Sequence, residues 1–191
     1  MNDLSKISDE NLAKKSVSDL ECFAEIVDRF ERRLQRYIMR ISAVSELEAE
    51  EILQEVFLAA WRSLRGFNSA LKFSSWIYRI AHNKTISYFR QQRSSTGGSK
   101  TVSLSDDLFD ISFRDDEMNL GAEFDRAVSA RKVHEILDLL PFRDKEVLVL
   151  RFLEDKSYIE IADILHKPIS TVGTLIKRAK QKFREIFKQK N

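Results

Sequence analysis

The chain holds one cysteine, two prolines and five glycines in 191 residues. A single cysteine, Cys22, excludes an internal disulfide framework and suits a reducing compartment; Cys22 itself reads as a small apolar core residue. So few turn formers argue against turn-rich β architectures. No run of about 18 apolar residues occurs, so no segment is suited to membrane insertion. The opening MNDLSKISDENLAKK is polar and acidic, which is not the pattern of a secretory signal. The expected location is therefore the cytoplasm. The three histidines, His82, His134 and His166, are scattered, and there is no HExxH, no paired cysteine and no glycine-rich phosphate loop. The carboxylate pairs Asp106–Asp107 and Asp115–Asp116 fall in a segment too polar to hold them in place. The reading is a protein that is not an enzyme, with no catalytic residues, metal, cofactor or small-molecule substrate.

One further absence points the other way. Residues 62–93 contain seven Lys or Arg and no Asp or Glu. The remaining charge is segregated too. Residues 1–61 carry 8 basic and 13 acidic residues, 94–125 carry 2 and 8, and 126–191 carry 15 and 9. Two basic blocks separated by an acidic one suggest two contacts with a polyanion.

Apolar residues recur at three- and four-residue spacing through most of the chain, and no segment alternates with period two. Phe23, Ile26, Val27, Phe30, Leu34, Tyr37, Ile38 and Ile41 set one such rhythm, and Ile52, Val56, Ala59, Ala60 and Leu64 the next. The spacing predicts helices at about 8–17, 20–42, 46–65 and 73–92. Residues 94–125 begin with SSTGGSK, run acidic and cannot bury a core, so they read as a flexible linker with a short helix beginning near Asn119. Helical rhythm resumes at about 126 and predicts helices ending at Pro141, at about 143–153, at 158–165 and at about 170–187. The fold class is all-α: two small helical domains, 1–93 and 126–191, joined by the acidic linker 94–125.

The first basic block includes KFSSWIYRIAHNKTISYFRQQR, residues 72–93, with five aromatics interleaved among five Lys or Arg. On a wheel of 100° per residue Arg79, Arg90 and Arg93 share one face, and Lys84 falls within the apolar arc. Ile77, Ile80 and Phe89 read as core. Trp76 lies at the edge of the arc, and Phe67 and Phe73 lie in the preceding basic loop, where aromatics suit bases drawn out of a duplex. Trp76 fits a stacking role and a structural one equally. Asn83 is a polar side chain able to pair with a base edge.

The second block, YIEIADILHKPISTVGTLIKRAKQKF, looks like a helix-turn-helix. Ile159, Ile161, Ala162 and Leu165 are expected to pack its first helix, and Ile169, Val172 and Ile176 the core side of its second. His166 stands where the turn commonly needs positive φ, which histidine tolerates better than most residues. Ser170 or Thr171 is expected to cap the second helix. Ser170, Thr171, Gly173, Thr174 and Lys177 occupy the positions that reach base edges in a major groove. Arg178, Lys180, Lys182 and Arg184 suit phosphates. Gly173 costs helix stability, which close backbone approach to DNA could explain.

Three stretches together resemble the bacterial extracytoplasmic-function sigma factors of the sigma-70 family. AEEILQEVFLAAWRSL resembles the segment that docks on the polymerase clamp helices, FSSWIYRIAHNKTISYFRQQR the promoter-melting helix, and LPFRDKEVLVLRFLEDKSYIEIADIL with STVGTLIKRAKQKF the minus-thirty-five reader. The resemblance implies that Leu53, Gln54, Glu55 and Phe57 bind core RNA polymerase. It implies that Phe67, Asn68, Lys72, Phe73, Trp76 and Asn83, with Arg79, Lys84 and Arg90 on the same basic helix, hold the minus-ten element. Thr171, Thr174, Lys177 and Arg178 fall on the recognition helix. The chain departs from the family at Ser87, where Asp is common, and at Gly173 and Leu175, where Lys and Arg are common. The implied partners are core RNA polymerase, promoter DNA and an anti-sigma factor. The acidic linker would thread towards the polymerase active site, or serve only as a solvated tether. A stand-alone helix-turn-helix regulator is the alternative; it leaves the first basic block unexplained.

Overall fold

The computed structural model describes residues 4–95 and 130–190. The acidic linker, the short helix near Asn119 and the side chain of Arg93 lie outside the described residues, except that the helix begun at Phe73 runs on to Ser95. No strand occurs among the described residues, which group into two compact helical units.

The N-terminal unit contains α1 (Asp9–Ser16), α2 (Leu20–Ser42), α3 (Glu46–Ser63) and α4 (Phe73–Ser95), with short 3-10 turns at Leu4–Lys6 and Leu64–Gly66. Local chemistry sets the boundaries. The Ser8 hydroxyl accepts from the Asn11 N–H, and the Asp19 carboxylate accepts from the Glu21 N–H. At Ser45 a reciprocal capping box starts α3: Ser45 accepts from the Glu48 N–H, and Glu48 accepts from the Ser45 N–H. Glu48 also holds the Ser45 hydroxyl, a bond that lowers its pKa. α2 ends at Ala43, which takes the left-handed conformation with φ 52°. The α4 N-terminus is capped from another helix: the Phe73 N–H donates to Glu10 Oε1 at 3.1 Å.

The core of this unit comes from one stripe of each helix. α2 contributes Ile26, Phe30, Leu34, Tyr37, Ile38 and Ile41; α3 adds Ile52, Val56 and Ala60; α4 adds Phe73, Ile77, Tyr78 and Ala81. Burial of each large side chain stabilises the unit by about 1.5–3 kcal/mol. Phe30 meets Phe73 at 5.5 Å and Tyr37 meets Tyr78 at 5.1 Å, in edge or tilted geometry. Ile80 and Phe89, read as core, are half-buried.

The C-terminal unit contains α5 (Ala130–Leu139), α6 (Phe142–Leu148) continued by a wider π turn over Val149–Leu153, α7 (Tyr158–Leu165) and α8 (Ile169–Gln189). Its core includes Ile136, Val147, Val149, Leu150, Ile161, Val172, Ile176 and Phe183. Ser157 and Glu160 form a second capping box, and His166 ends α7 at φ 55°, the left-handed conformation the turn requires.

Three further sequence expectations need correction. Ile159 and Ile169 are exposed (68% and 51%), not core. Each sits in the first turn of its helix, where its side chain is left on the solvent side. The third concerns the start of α8. The helix begins at Ile169 behind Pro168 with no side-chain cap, so Ser170 and Thr171 lie within its first turn and do not cap it.

Candidate nucleic-acid and partner interfaces

The loop between α3 and α4 and the first turns of α4 gather Phe67, Phe73 and Trp76 into one ring cluster. Phe67 lies 5.3 Å from Phe73 and 5.1 Å from Trp76, and Phe73 lies 5.3 Å from Trp76. The three play different parts. Phe73 is wholly buried against Phe30, so it supports the cluster and presents no face to a base. Phe67 and Trp76 are half-buried. The loop itself is shaped by Asn68, whose side-chain oxygen accepts from the Ala70 N–H at 3.0 Å, and it leaves Asn68 and Lys72 exposed. One turn beyond Arg79, the exposed Asn83 lies further along α4, with Arg90 two turns on.

Lys84 belongs to a different face. Its ammonium pairs with Glu55 of α3 at 2.9 Å, and this bond lowers the Glu55 pKa. One turn along, Tyr88 donates to Glu48 at 3.0 Å and accepts from Gln92 at 2.9 Å. Lys84 falls within the apolar arc of the wheel because that arc packs on α3, whose glutamates give the cation a partner.

α2 and α3 frame a groove of about 810 Å³. Leu20, Phe23, Val27, Leu53, Phe57 and Trp61 supply its apolar lining, and Glu31, Glu50 and Gln54 its polar edge. Phe23 stacks edge-on against Trp61 at 4.8 Å and lies 6.5 Å from Phe57. Leu20, Leu58 and Trp61 remain 69%, 47% and 39% exposed. Among the residues marked for polymerase binding, Leu53, Gln54 and Phe57 thus reach one groove, while Glu55 turns to Lys84. Leu20, Phe23, Val27 and Trp61 line the same groove and were not singled out as site residues in the sequence. A clue was present in the breadth of the apolar arc of α2, where Phe23 and Val27 extend beyond the Ile26, Phe30, Leu34 stripe.

In the C-terminal unit, α8 presents Ser170 and Lys177 to solvent, with Thr171, Gly173 and Thr174 half-exposed. The Thr174 hydroxyl donates to the Ser170 carbonyl at 3.2 Å, which fixes its rotamer. The cations further along α8 are not equivalent. Lys180 lies over the Phe152 ring at 5.4 Å, and its pKa is lowered by burial and by Arg184 and Arg151 nearby. Arg178 and Lys182 both reach the buried carboxylate of Asp144. A phosphate is favourable beside Lys180, where cations already crowd one another.

Among the described residues the chain is all-helical, with an aromatic cluster beside a basic helix in one unit, a helix-turn-helix in the other, and an apolar groove between α2 and α3. Residues 26–95 match the family Sigma-70 region 2, and residues 130–183 match Sigma-70, region 4. Over 173 residues the chain is 28% identical to the ECF RNA polymerase sigma factor SigW of Bacillus subtilis, covering 87% of this chain and 89% of that protein. Its fold is similar to CnrH in the structure of CnrH with the cytosolic domain of CnrY, at TM-score 0.69 and 22% identity over 96% of this chain and 99% of that one. It is also similar, at TM-score 0.65 and 20% identity, to the sigma factor RpoE of Bartonella quintana in complex with the anti-sigma factor NepR, over 87% and 96% of the two chains. The chain belongs to the sigma-70 family, as a sigma factor of the extracytoplasmic-function type.

Proposed function

We propose that this sigma factor binds core RNA polymerase through the α2–α3 groove and directs initiation by two DNA contacts. On this reading residues 1–93 form the polymerase-binding and minus-ten domain, 94–125 the tether and 126–191 the minus-thirty-five domain. Phe67 and Trp76 stack on a base drawn from the minus-ten element, Asn83 reads a base edge, and Asn68, Lys72, Arg79 and Arg90 hold the adjoining strand. The leading positions of α8, Ser170, Thr171, Gly173, Thr174 and Lys177, face base edges of the minus-thirty-five duplex, with Lys180 on a phosphate. The protein performs no covalent chemistry; the polymerase supplies it. Its place of action is the cytoplasm, where polymerase and DNA are. The observation that carries the reading is the acid-free basic segment 62–93 ending its loop in a half-exposed Phe67–Trp76 pair on a buried Phe73 base. A free-standing helix-turn-helix regulator has no use for it.

Copurification with core RNA polymerase and runoff transcription on genomic fragments test this directly. A chain that neither binds core polymerase nor supports runoff sinks the proposal. Trp76→Ala should lower promoter opening by about 5- to 150-fold, the equivalent of about 1–3 kcal/mol of lost stacking. Core binding should be unchanged in that variant. A parallel loss of core binding would mean that Trp76 acts through the fold.

Because a relative of this fold is found with an anti-sigma factor, we include such a regulator among the partners. A protein of this kind that covers the α2–α3 groove would compete with polymerase for it.

A further inference from the structure

The sequence groups Arg178 and Lys182 with the phosphate-holding cations of α8, but the structure gives both of them another occupation. Asp144 is the third residue of α6, and its side chain is 1% exposed. Its backbone is fixed by an N–H donated to the Pro141 carbonyl at 2.9 Å. One carboxylate oxygen accepts from Arg178 Nε at 3.0 Å and pairs with Nη2 at 3.0 Å; the other accepts from Lys182 Nζ at 2.6 Å. Arg178 and Lys182 are one turn apart and share a face of α8. The pattern spans 34 and 38 residues of sequence, so it ties the DNA-facing helix to the start of α6.

We infer that Asp144 is a specificity-determining positioning residue: it holds Arg178 and Lys182 away from the DNA backbone and leaves recognition to the leading turns of α8. This rests on the reading of α8 as the DNA-contacting helix. An exposed ion pair exchanges partners at little cost. A carboxylate buried to this degree does not, because losing its cations would leave an uncompensated charge out of water. A phosphate therefore competes poorly for either cation. Sequence-independent affinity comes from phosphate contacts, and base edges carry the discrimination. Withholding two cations from phosphates lowers the first without touching the second. It also fixes the rotation of α8, since the two tethered side chains define which face turns away from DNA.

The test is binding of the full-length chain to a short duplex of mixed sequence, followed by fluorescence anisotropy over a range of salt. The slope of log affinity against log salt reports phosphate contacts, at roughly 0.9 per contact. Asp144→Asn should steepen the slope by about 1 to 2 and raise affinity for mixed sequence. Lys182→Gln and Arg178→Gln should each change the slope by well under one contact's worth. The proposal is overturned if each of these two variants loses about 0.9 of slope, or if folded Asp144→Asn keeps the parental slope. Circular dichroism establishes whether Asp144→Asn is folded; if it is not, the two cation variants decide alone. Absence of duplex binding by every chain at every salt would overturn the DNA reading of α8 itself, an outcome distinct from unchanged slopes in chains that bind.

Discussion

Gly173 sits inside α8, where glycine costs about 1 kcal/mol relative to alanine. A Cβ built there would lie 3.7 Å from Tyr158 Cε1, an ordinary van der Waals contact, so the unit itself has room for a methyl group. Gly173→Ala should therefore stabilise the protein by about 1 kcal/mol, read as a higher midpoint in thermal or urea unfolding. The same variant separates two roles for the glycine. If close DNA approach requires a bare backbone at this position, duplex affinity falls while stability rises; if affinity holds, the glycine has no part in binding. Single residues also show where sequence reasoning stops. Phe73 and Trp76 have the same aromatic character and lie in the same turn, yet one is wholly buried and the other half-exposed. Phe73 packs on Phe30 of α2, a contact across 43 residues that no local pattern encodes.

At the scale of elements, the start of α3 makes the clearest prediction. The capping hydrogen bonds from Ser45 and the Tyr88 hydroxyl lower the Glu48 pKa below its ordinary 4.5. A carboxylate whose folded pKa is depressed contributes stability that is present above its unfolded pKa and lost as pH falls through the folded value. Asp19 and Glu55 are depressed as well, the first chiefly by the Cys22 thiol and the second by Lys84. The N-terminal unit should thus lose stability as pH falls below about 4.5, and Glu48→Gln should flatten that acid limb. Melting temperatures measured across the acid range check this; an unchanged acid limb in Glu48→Gln would rule out the capping box as a contributor. Helix extents were largely legible from local signals: α2 and α7 fall at the predicted 20–42 and 158–165 because Asp19, Ser157 and positive-φ positions mark their ends. What joins the helices was not legible. Glu10 capping α4 and Asp144 holding α8 act across 63 and more than 30 residues, and no periodicity encodes them.

At the scale of the whole molecule, the charge blocks and the order of the motifs made the two-unit, all-helical arrangement readable, because composition reports at long range what periodicity reports locally. The α2–α3 groove escaped for a physical reason. An apolar side chain facing a future partner obeys the same three- and four-residue spacing as one facing the core, so Phe23 and Val27 read as interior until their exposure is seen. Leu58 is 47% exposed at this groove and carries little of the core. Leu58→Glu should leave folding intact and lower affinity for core polymerase by tenfold or more, about 1.4 kcal/mol, measured by competition binding. Unchanged affinity would move the docking site elsewhere.

That groove has a consequence for the life of the protein in the cell. Leu20, Phe23, Leu58 and Trp61 form the kind of wet apolar surface that promotes aggregation when left uncovered. Chaperones and proteases continuously triage chains that show such surface. The steady-state amount of this sigma factor should accordingly follow the supply of whatever covers the groove, so its abundance is set after synthesis as well as by it.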